Sequence, residues 1–178
     1  MDVVLNLTLF AIIIVAAAFD IKERRIPNWV ILLGLIAGLV LGSLQGSTQL
    51  ILSVAGFFAG IVALLLPFAF GWMGAGDVKL FAVVGALLGY TRLPRIFFYA
   101  CLVAGVIALL ALALGYARQI SIKRFWTDCK FMFLTVRTGL PKSTSLESGT
   151  YSVPWGVAIG TGTIMAYYFD PSGTWAGF

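Results

Sequence analysis

Histidine is absent from the 178 residues. That excludes a Ser-His-Asp triad, a His-ligated zinc and an imidazole proton relay. Charge is scarce as well, at 11% of the chain, where a soluble domain carries about 25%. The two cysteines, Cys101 and Cys129, form no CxxC pair, which argues against a zinc ribbon, an iron–sulfur cluster or a disulfide framework. Any chemistry falls to carboxylates, and the chain has seven: Asp2, Asp20, Glu23, Asp77, Asp128, Glu147 and Asp170.

What the chain has in excess is apolar surface. Apolar residues make up 61% of it, against roughly 45–50% in ordinary soluble domains. A soluble domain of this size has too little interior to bury that much, so the matching solvent is a lipid bilayer. Five apolar runs are long enough to cross one: 3–19, 29–44, 50–70, 96–117 and 153–169. A sixth, 78–90, contains Lys79 and reaches spanning length only if its helix begins near Gly74, giving 74–90. The first run follows an acidic start and precedes a basic cluster, the reverse of a cleavable signal peptide.

Charge sidedness decides the sixth span. With six crossings and the amino terminus outside, the cytoplasmic side collects Lys22, Arg24, Arg25, Lys79, Arg118, Lys123, Arg124, Lys130, Arg137 and Lys142, and only Arg92 and Arg95 remain outside. That is ten of the 12 basic residues on one side. If 74–90 does not cross, the division becomes six against six. The positive-inside bias selects six spans. The net charge of +5 is then mostly a topology signal, and no aromatic-basic module for nucleic acid accompanies it.

The expected architecture is a single membrane-embedded, all-α polytopic domain of six transmembrane helices, with 118–152 on the cytoplasmic side. In that stretch Ile122, Phe125, Trp126, Cys129 and Phe133 recur at helical spacing among Lys123, Arg124 and Lys130. This predicts a basic amphipathic helix on anionic lipid. A loop rich in Gly, Ser, Thr and Pro follows.

This topology puts two acids at one depth. Asp20 ends the first span as it arrives at the cytoplasmic boundary, and Asp77 opens the fourth as it leaves. Fifty-seven positions separate them, yet packing span 1 beside span 4 would bring the carboxyls together. Ionisable groups at such a boundary are costly and tend to be functional. Gly74 and Gly76 before Asp77 offer either unusual backbone conformations or room for another chain to approach. No phosphate loop or GxGxxG fingerprint is present. Pro27 is placed to start the second helix.

Together, Asp20 with Lys22, Arg25 and Ile26-Pro27-Asn28, then Gly74-x-Gly76-Asp77-x-Lys79-Leu80, and a last span opening Val153-Pro154-Trp155-Gly156-Val157-Ala158-Ile159 closely resemble the type IV prepilin peptidases, GxGD-type aspartyl proteases of the membrane. The closing motif is most similar to the compact branch that processes tight-adherence (Flp) pilins. The resemblance implies a dyad of Asp20 and Asp77 supported by Gly74, Gly76, Lys79, Pro27 and Asn28. It implies no metal or cofactor, and a prepilin or pseudopilin substrate cut behind its basic leader at the inner-membrane boundary. The segment with paired CxxC motifs, which serves methyl transfer in larger members, is not in this sequence, so cleavage without methylation is expected.

Two close carboxyls sharing one proton can supply both the base that activates water and the acid that protonates the amide. Helix dipoles suggest that Asp77, near a helix start and close to Lys79, holds the charge, while Asp20, at a helix end, holds the proton. A GxGD protease for other substrates, such as preflagellin-like proteins, is one alternative. The other is a small proton-coupled carrier, although carriers favour midplane sites and inverted repeats and no repeat is visible.

Overall fold

The computed structural model describes residues 2–23, 25–69, 72–114 and 154–169. The expected amphipathic helix and loop of 118–152, and Cys129 with them, lie outside the described residues. The chain forms two compact units, Met1–Gly105 with Pro154–Phe178, and Val106–Val153. Of the second unit, the described part is the carboxyl end of one helix, and the helix bundle lies in the first.

The described residues are helical and contain no strand. Helix α1 is Asp2–Glu23, α2 Asn28–Gln45, α3 Ser47–Ala69, α4 Ala75–Leu88, α5 Leu93–Ala113 and α6 Trp155–Phe169, with a 3-10 turn at Tyr90–Arg92 ahead of α5. In lipid a backbone must satisfy its own hydrogen bonds, which is why apolar runs become helices. Four segments are long and apolar enough to cross a bilayer: Val3–Glu23, Asn28–Gln45, Ser47–Ala69 and Tyr90–Ala111. The molecule is a multi-pass helical membrane protein.

Helix boundaries follow local chemistry more than hydropathy. α1 continues beyond the apolar run through Asp20 to Glu23, with Lys22 in its last turn, where a cation suits the helix dipole. Pro27 stands one residue before α2, at the N-cap with φ −62° and ψ 138°, instead of inside the first turn. Gly46, at φ 117°, is the single residue between α2 and α3, a left-handed position that favours glycine. Gly89, at φ 81°, ends α4 in the same way, and its N–H reaches Gly85 O at 2.8 Å.

α4 lies at the centre of the bundle. Leu80, Phe81, Ala82, Val83, Val84 and Ala86 have no exposed surface, as expected of a helix that is apolar on every face. α3 runs antiparallel to it at very close approach, with Gly60 against the Ala82 backbone and Gly56 against Gly85. α2 runs parallel to it, placing Gly34 on Val83 and Gly38 on Ala86. From α5, Phe97 meets Phe81 edge-on at 6.2 Å.

α1 and α6 pair antiparallel: Asn6 Nδ2 donates to Tyr167 Oη at 2.6 Å, and Gly160 faces Ile13. Large apolar residues such as Leu32, Leu33, Ile36, Phe58, Val62 and Leu66 point outward. Small residues make the contacts, the pattern of helix association where lipid is as apolar as leucine.

Candidate active site

One end of the bundle gathers the carboxyl end of α1 and the amino ends of α2, α4 and α6. Asp20 occupies the last turn of α1 and is only 7% exposed. Its Oδ2 accepts a hydrogen bond from the Val157 backbone N–H at 3.2 Å. Val157 is the third residue of α6, so its N–H is one of the donors a helix start leaves without an intrahelical partner. Asp20 therefore caps a helix other than its own. The approach is close, because a Cβ at Gly156 would stand 2.7 Å from Asp20 Oδ2 and 3.0 Å from its Cβ and Cγ.

Asp77 is the third residue of α4 and 9% exposed. Its Oδ2 accepts the Gly74 N–H at 2.9 Å, while its own N–H donates to Gly74 O at 3.2 Å. The carboxylate thus folds back onto the start of its own helix, as the acidic member of a capping box does. Gly74 has φ −81° and ψ 158°, ordinary extended geometry, so of the two roles expected for these glycines the one seen is room. A Cβ at Gly76 would lie 3.3 Å from Ile26 Cβ, in the α1–α2 connection. The two carboxylates are near enough to act on each other electrostatically. Span 1 and span 4 do meet at this end.

Two expectations change. Lys79 does not turn to Asp77; its Nζ donates to Asn28 Oδ1 at 3.1 Å on the exposed rim, joining α4 to α2. Pro27 positions that asparagine by setting the start of α2. The dipole contrast narrows, since Asp20, at the carboxyl end of α1, also faces the amino end of α6, while Asp77 faces that of α4.

Residues with no role expected from the sequence complete the surroundings. Gly156 and Val157 cradle Asp20, and Trp155 Nε1 donates to Trp72 O at 3.0 Å, fastening the α6 start to the chain between α3 and α4. The signal for them was present in the closing motif, where Trp155-Gly156-Val157 opens the last span.

Fold and site together define a multi-pass helical membrane protein in which two buried carboxylates from distant helices converge at helix amino ends. The chain belongs to the type IV leader peptidase family, which matches residues 7–109 and so covers both aspartates but not α6. It is 34% identical over 119 residues to the prepilin peptidase EppA of Methanococcus maripaludis, covering 67% of this chain and 32% of that protein. It is 28% identical over 114 residues to the prepilin leader peptidase/N-methyltransferase of Bacillus subtilis, covering 59% of this chain and 43% of the other. The chain thus spans less than half the length of either relative. No solved structure matches it.

Proposed function

We propose that this protein is an aspartic endopeptidase that removes the basic leader from type IV prepilins or pseudopilins, those of the Flp kind in particular. In this reading all six helices cross the inner membrane, the amino terminus lies outside, and the site opens at the cytoplasmic boundary. The observation that carries the proposal is the convergence of Asp20 and Asp77, buried and within electrostatic reach across 57 positions of sequence. Supporting it are family membership, the peptidase activity for which the two relatives are named, and the ten basic residues that six crossings gather on one side. The Flp assignment rests on the Val153–Ile159 motif.

The chemistry follows from two acids and a water. The ionised carboxylate takes a proton from the water as its oxygen bonds to the scissile carbonyl carbon, while the protonated carboxyl gives its proton to the carbonyl oxygen. The carboxyl that took the water proton then gives it to the amide nitrogen. A hydroxyl of the tetrahedral diol returns its proton to the other carboxylate as the carbon–nitrogen bond breaks, and the pair is left with the single proton it began with. Helix amino ends at both acids help to hold them in place.

Co-expression with an epitope-tagged Flp-type prepilin tests the assignment. Wild type is expected to shorten the substrate by its leader, and Asp20→Asn and Asp77→Asn each to abolish this with the protein still inserted. Processing that survives in both variants refutes the protease reading.

A further inference from the structure

The end of the bundle opposite the two aspartates holds a cavity lined by Leu88, Arg92, Arg95, Ile96, Thr163 and Tyr167, among others. The cavity itself, about 20 Å³, has room for little more than a water, and we infer that its open mouth at Arg92 binds the phosphate of a phospholipid headgroup. Arg92 and Arg95 are the two basic residues that the six-span topology leaves on the sparsely charged side, and both line this one pocket. Placing arginine there runs against the charge bias that sets topology. Arg95 is moreover only 8% exposed, although a buried guanidinium loses hydration. It has a contact of its own within the fold, while Arg92 beside it is exposed and presents its charge to whatever enters. The planar guanidinium fork matches a phosphate bidentately.

Depth favours a lipid as the source. Tyr90 and Tyr168 are 47% and 80% exposed, and Tyr99 stacks on Phe169 at 6.3 Å. Exposed aromatics of this kind form the belt at headgroup level. The cavity therefore sits where phosphates are concentrated, and α5, which lends it Arg95 and Ile96, carries the exposed Phe98 and Leu102 further along. Thr163 Oγ1 is already donating to Ile159 O at 2.7 Å, so the anion is left to the arginines.

The test uses the full chain, delipidated in a neutral maltoside detergent and followed by thermal unfolding. Phosphatidylglycerol is expected to raise Tm by about 5 °C, the gain for a ligand well above its Kd. Diacylglycerol, which lacks the phosphate, and inorganic phosphate at the same concentration are expected to give at most a small part of that. Arg92→Gln should remove most of the gain without lowering the lipid-free Tm, since its side chain is exposed. Arg95→Lys, which keeps the buried charge but loses the fork, should reduce it. Equal shifts with diacylglycerol, or gains unchanged in both variants, overturn the inference, and an equal shift with inorganic phosphate overturns the lipid as its source.

Discussion

Substituting Gly156 by alanine tests whether the amino end of α6 sets the position of Asp20. The new methyl carbon would stand 2.7 Å from Asp20 Oδ2 and 3.0 Å from its Cγ and Cβ, all inside ordinary contact. Rotating the carboxylate relieves the first two overlaps but not the third, because Asp20 Cβ is fixed by the α1 backbone. The helices must separate by a few tenths of an ångström and the carboxylate must turn away. The Val157 N–H bond, already 3.2 Å, then breaks. A hydrogen bond to a charged group contributes about 1.5–3 kcal/mol, and misplacing a reacting group by about 1 Å can lower a rate roughly 100-fold.

Initial rates of leader cleavage by the purified variant are therefore expected to fall about 100-fold, with unchanged membrane content. Gly160→Ala is the control. Its Cβ would lie 2.7 Å from Ile13 Cγ2, an equal overlap in the same α1–α6 interface but against a movable methyl group far from the acids. It should retain activity within about threefold, the allowance for a packing change that leaves the acids in place. Comparable losses in both variants would show that generic helix packing explains the effect, and full activity in Gly156→Ala would refute the positioning role.

Three further perturbations test the frame. Gly60→Val would set a Cβ 2.7 Å from Ala82 Cα, and overpacking against backbone should lower stability by about 1–3 kcal/mol, read as an earlier midpoint in denaturing-detergent titration. Lys79→Met removes the 3.1 Å bond to Asn28. Being exposed, that contact should contribute less than about 1 kcal/mol, leaving the melting temperature nearly unchanged and cleavage within about threefold of wild type. Asn6→Ala breaks the 2.6 Å bond to Tyr167 at the far end of α1 and α6, and should destabilise by about 0.6 kcal/mol in the same titration.

Five helices were legible because each needs only an unbroken apolar run, α4 because charge sidedness calls for a sixth crossing despite Lys79, and the meeting of Asp20 with Asp77 because alternate crossings return to one side. Where α1 stops was not legible. Hydropathy ends at Phe19, whereas backbone hydrogen bonding carries on through Asp20 to Glu23. The Lys79–Asn28 and Asp20–Val157 contacts were hidden for another reason. Each depends on which helices are neighbours, and neither pairing is encoded in the periodicity of one segment. A partial signal did exist: Gly34, Gly38 and Gly42, and likewise Gly56 and Gly60, recur every fourth position, the spacing of close helix contacts. Those stripes mark α2 and α3 as partners for a central helix, though not which helix that is.

The lengths of the helices connect fold to site. α4 has 14 residues and the described α6 has 15, about 21–22 Å at ~1.5 Å per residue, whereas a bilayer core measures about 30 Å. α1, α2, α3 and α5 have 22, 18, 23 and 21 residues. The two shortest helices are the two whose amino ends hold the carboxylates. Their far ends adjoin the exposed Tyr90 and Tyr168, and their amino ends meet the last turn of α1, where Asp20 and Asp77 are 7% and 9% exposed. At that burial helix dipoles take the place of water in holding charge. Lengthening α4 by one turn behind Leu88 would push Asp77 outward by about 5.4 Å. If cleavage and aspartate burial both persisted in such an insertion, the length of α4 would not be what places the pair.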